Sequence, residues 1–67
     1  MEAHTQLTVW SVYRCDVVTL PLGGCVEHTE QHMMIAHALD GMRHVWNWKK
    51  VLYYTMVEVH ETAGQSS

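Results

Sequence analysis

Cys25, His28 and His32 are the residues whose types and spacing come nearest to a reactive group. A Cys-x-x-His step followed by His-x-x-x-His can aim one thiolate and two imidazoles at a single ion, and Cys15 could complete the tetrahedral set that zinc takes. Structural zinc sites normally arrive as two paired knuckles, whereas one half here is a lone cysteine near the end of a strand pattern. Two small buried thiols and two solvated histidines are the plainer account, and the preferred one. A nucleophilic pair of Cys25 with a histidine has no orienting group or oxyanion site in the surrounding pattern. The run His28-Thr29-Glu30-Gln31-His32 places its glutamate one position too late for the HExxH metalloprotease motif, and neither G-x-S-x-G nor a phosphate-cradling loop occurs. A chain of 67 residues also has little room for a pocket. The expectation is a non-enzymatic protein without a cofactor.

A second constellation is Arg43-His44-Val45-Trp46-Asn47-Trp48-Lys49-Lys50, which gathers three of the four cationic residues around two tryptophans. Such interleaving can stack bases and bind phosphates, or it can supply the aromatic and arginine anchors of a protein interface. Seven acidic residues against four basic ones give a formal charge of -3, which counts against a protein that coats nucleic acid. A protein partner is therefore preferred, with Trp10, Arg43, Trp46, Trp48, Tyr54 and Met56 as candidate contacts. A metal-stabilised or nucleic-acid-binding regulator is the alternative. His37 and Asp40, three apart, read as a surface hydrogen bond.

The segment His37-Ala38-Leu39-Asp40-Gly41-Met42-Arg43-His44 resembles the H-x-x-x-G-x-R-H signature of the cytochrome b anchor subunit of succinate dehydrogenase. The resemblance covers eight of 67 residues. It implies a haem ligated by His37, with Arg43 approaching a propionate or a quinone. It also implies three membrane-spanning helices, whereas Glu27, Glu30, Asp40 and several histidines interrupt the only candidate span here. Haem binding is carried as a distant alternative. In size and element order the chain is also similar to small accessory proteins of bacteriophages and their actinobacterial hosts, which implies a host-interacting or regulatory role.

The elements that must position these residues follow from hydrophobic periodicity. Leu7 to Tyr13 alternates as a strand, with Leu7, Val9, Ser11 and Tyr13 on one side and Thr8, Trp10, Val12 and Arg14 on the other. Val17 to Leu22 reads as a second strand, with Pro21 at an edge or an end and the first two strands forming a hairpin. Gly23-Gly24 permits a turn. Thr29 is a candidate helix N-cap, and Gln31, Met34, Ile35, Ala38, Leu39 and Met42 cluster on one side of a helix drawn from Glu30 to Met42. A connection near Arg43 to Asn47 leads to a strand from Val51 to Val59, both of whose faces are apolar over their first half.

These elements predict a small α+β domain of ββαβ order, an antiparallel three-stranded sheet with one amphipathic helix packed on one face. Residues 1–67 form a single domain with a flexible tail over 63–67. A chain of this size buries only about 60% of its unfolded surface. The uncovered sheet face is therefore expected to associate, giving a homodimer and contact with a protein partner. Two cysteines are too few for a secreted disulfide scaffold, the start resembles no signal peptide, and no stretch is apolar enough to span a membrane. The expectation is a soluble cytoplasmic protein.

Overall fold

In a computed structural model, which describes residues 2–61, the chain is all β. Its strands are β1 (Glu2–Ser11), β2 (Cys15–Pro21), β3 (Val26–His28), β4 (Met33–His37), β5 (Arg43–Asn47) and β6 (Val51–Glu61), with a single 3-10 turn at Trp48–Lys50. They form two antiparallel three-stranded sheets, ordered β2-β1-β6 and β3-β4-β5. The expected tail over 63–67 lies outside the described residues.

The alternating runs at either end of the chain supply the first sheet. Leu7 lies opposite Val18 and Met56, and Val9 lies opposite Asp16 and Tyr54, which fixes one inner face across the three strands. A bulge at Trp10/Ser11 shifts the register where β6 begins. Short polar side chains close the turns that follow β1, β3 and β4. Ser11 Oγ accepts the amides of Tyr13 and Arg14 at 3.1 Å each. Thr29 Oγ1 accepts those of Gln31 and Met33 at 3.2 Å each. Asp40 Oδ1 accepts that of Met42 at 2.9 Å.

The expected helix over residues 30–42, and with it the α+β ββαβ class, is overturned. Residues 29–32 turn, residues 33–37 form β4, and residues 38–42 turn again into β5, the segment expected as a connection. Met34 and Ala36 are fully buried by strand alternation. Leu39 and Met42, expected to pack on the sheet, are each 59% exposed. Two local features make this fold. Thr29 spends its hydroxyl on a hairpin turn instead of a helix N-terminus, with His32 in the left-handed region at φ 63°. Asp40-Gly41 then forms a tight strand-to-strand connection, in which Gly41 takes φ 91° and Ala38 N donates to Met42 O at 2.8 Å. The likeness of element order to phage accessory proteins ends with the helix.

The two sheets share one core, built from Leu7, Val9, Val18, Leu20, Met34, Ala36 and Trp46. Val26, Ala38, Val51 and Tyr54 pack around it. Trp46 joins the sheets chemically as well, since its indole N–H donates to Asp16 Oδ2 at 3.1 Å while Arg14 holds the same carboxylate. Backbone bonds from Leu39 N to Thr19 O and from Val12 N to Lys50 O, 2.8 and 2.9 Å long, tie the turns to neighbouring segments. None of the buried core residues comes from β6. The second sheet therefore covers β1 and β2 more completely than it covers the last strand. Among the described residues, no helix is long and apolar enough to cross a membrane.

Candidate functional site

The outer face of the first sheet is where the sequence leaves apolar surface without a covering element. Strand alternation and the two registers set its side chains in four rows, Cys15-Trp10-Tyr53, Val17-Thr8-Thr55, Thr19-Gln6-Val57 and Pro21-His4-Val59. No Asp, Glu, Lys or Arg occurs in these rows. Trp10 stacks on Tyr53 with ring centroids 4.5 Å apart and planes 14° from parallel. Tyr53, Val17 and Val57 are 56%, 58% and 57% exposed, so the face is presented to solvent. Depletion of charge around exposed aromatic and β-branched side chains is the compositional mark of an interface core. The uncovered face lies opposite a second sheet instead of the expected helix, and its exposed large side chains are Val17, Tyr53 and Val57.

Of the expected contact residues, Trp10 alone lies in these rows. Tyr54 points inward, packed beside the core, and Met56 is on the same inner face but 40% exposed because the second sheet stops short of it. Trp46 is a core residue at 9% exposure. Trp48 lies in the 3-10 turn, where its ring meets His28 edge-on at 4.7 Å and Tyr54 at 6.1 Å. Arg43 is at the start of β5, exposed and opposite His37. The basic aromatic segment is therefore divided by strand alternation, with His44 and Trp46 turned towards the first sheet and Arg43, Val45 and Asn47 turned away. Tyr53, Val17 and Val57 are the face residues that the sequence reading missed. The signal for them was the pairing of two alternating runs, in which charge is confined to one side.

The metal candidates do not converge. Cys15 and Cys25 are free, exposed thiols, which corrects the expectation that they are buried. Cys25, at the entry to β3, and His28 and His32 are not gathered, and among the described residues no three His, Cys, Asp or Glu side chains form a group that could hold a metal ion. His37 lies 3.7 Å from Glu27 across β3 and β4, while Asp40 accepts the Met42 amide of its own turn in place of the expected bond to His37. The segment resembling the cytochrome b signature is a β-hairpin spanning the end of β4 and the start of β5.

Two open depressions lie on the surface. One of about 460 Å³ is bounded by Val17, Thr19, Leu39, Asp40 and His44, and one of about 310 Å³ by Tyr13, Arg14, Asp16, Trp46 and Lys50. Neither holds a nucleophile paired with a base. The chain matches no protein-family model, no curated protein and no solved structure.

Proposed function

We propose that this chain is a small, non-enzymatic, cytoplasmic interaction protein that self-associates, and that it binds a protein partner through the outer face of β2-β1-β6. The observation that carries the reading is the charge-free set of rows around the Trp10–Tyr53 stack, half-buried along β1 and exposed along β2 and β6. A soluble surface of this size normally intersperses charges, because an uncharged apolar patch invites association. Rigid aromatic rings flanked by Val and Thr bury much area for little loss of side-chain freedom, which favours a protein over a small ligand as the occupant.

The test is photo-crosslinking from a benzophenone side chain introduced at Thr8, in the middle of the face, in extract of the source cells. A discrete protein adduct is expected, and Val17→Asp or Val57→Asp should abolish it while leaving the circular-dichroism spectrum unchanged. An adduct pattern indifferent to both charges would remove the face from the interaction.

A further inference from the structure

Among the described residues, every sheet edge except one carries a feature that discourages pairing with another strand. β2 contains Asp16 and ends in Pro21, β3 is three residues long and contains Glu27, and β5 is five residues long and begins with Arg43. β6 differs from all of them. It runs for 11 residues, pairs only with β1 among the described residues, and over residues 51–57 has the sequence VLYYTMV, without a charge, a proline or a glycine. A long edge strand of that composition exposes unpaired amides and carbonyls as a template for a further strand.

The charges at its ends choose the occupant. Lys49 and Lys50 precede β6, and Glu58 lies near its other end with its side chain 61% exposed. A parallel copy of β6 laid along the edge would set lysines beside lysines and Glu58 beside Glu58. An antiparallel copy sets each lysine end against a glutamate end, and opposite charges across a strand pair stabilise it where like charges oppose it. Resting on the self-association proposed above, we infer that two copies of this chain join through the free edge of β6, antiparallel about a two-fold axis at Tyr54, so that the Lys49-Lys50 end of each strand lies beside the Glu58 end of the other.

The pairing also lays the partner's strand beside Leu52, Met56 and Val57, which are exposed in the single chain. The contact is isologous and therefore closes at two copies, leaving the Pro21-bearing β2 at both outer edges of a six-stranded sheet. Its main-chain bonds are those of strand addition. The two outer faces then run on as one uncharged surface.

Sedimentation velocity over a series of protein concentrations tests the inference on the untagged chain and three variants. The wild type is expected to be a dimer. Lys50→Glu and Glu58→Lys should each weaken the dimer roughly tenfold, since each puts two like-charge pairs across the two-fold axis. The double variant Lys50→Glu/Glu58→Lys should return the affinity to near the wild-type value, which also shows that the single variants were folded. A wild-type dimer that ignores both single reversals, or a double variant as weak as the singles, overturns the edge pairing and leaves association through the outer face standing. A wild type that stays monomeric throughout overturns both.

Discussion

Truncating Met34 separates strand packing from helix packing in the middle of the chain. Its side chain is fully buried and lies between His28 and Trp46 on the inner face of the second sheet. Met34→Ala removes that side chain from a closed core, which costs about 2–5 kcal/mol from lost transfer energy and the cavity left behind. A domain of this length has a total stability of roughly 3–10 kcal/mol at the usual per-residue value, so the variant should lose a large fraction of it. Its melting temperature should fall by about 10 °C or more. Leu39→Ala supplies the contrast. Leu39 is 59% exposed in the turn after β4, so its truncation should cost no more than about 0.5 kcal/mol. A helix packed through Met34, Ile35, Ala38, Leu39 and Met42 would make the two costs similar. The assay is urea unfolding followed by tryptophan emission at one fixed protein concentration, because Trp46 adjoins the cavity and self-association makes stability concentration-dependent. Equal losses in the two variants would refute the strand assignment of residues 33–37.

Two further perturbations probe the joints of the fold. Trp46→Phe and Asp16→Ala each delete the 3.1 Å bond between the sheets and should each cost at least about 1–2 kcal/mol, with the double variant costing less than the sum. Strict additivity in urea titrations would mean that the bond contributes nothing. Gly41→Ala meets no atom within 4 Å, so its cost of about 1–2 kcal/mol should come from φ 91° alone, and His32→Gly, relieving φ 63°, should stabilise by up to about 1 kcal/mol. Unchanged melting temperatures in both would show that the turns do not hold these conformations.

The ends of the chain were more legible than the middle. The runs from Leu7 to Tyr13 and from Val51 to Val59 are rich in β-branched and aromatic side chains, so their strand character is largely a local property. Residues 30–42 carry two periodicities at once. Met34 and Ala36 fit a strand, while Met34, Ile35, Ala38, Leu39 and Met42 fit a helix, and Met, Ala and Leu favour the helix intrinsically. Thr29 serves equally as a helix cap and as the acceptor of a hairpin turn. The Asp40-Gly41 pair was the discriminating signal, since Asp-Gly between apolar runs marks a hairpin. The candidate site suffered from the same ambiguity in another form. Both sides of β6 are apolar, and a helix assigned to cover the sheet could not say which side it covered.

By itself the sequence determined that the runs near both ends are strands, that a turn falls at Gly23-Gly24, and that apolar surface exceeds what so short a chain can bury. Those are consequences of side-chain shape, backbone freedom and size. Only the tertiary structure decided that residues 33–37 pair between β3 and β5, because ladder bonds and a shared core outweigh a weak helical preference. Only the registers Leu7 with Met56 and Val9 with Tyr54 decided that Tyr54 turns inward and Tyr53 outward. In a strand of period two, one residue of register exchanges the core face for the exposed one.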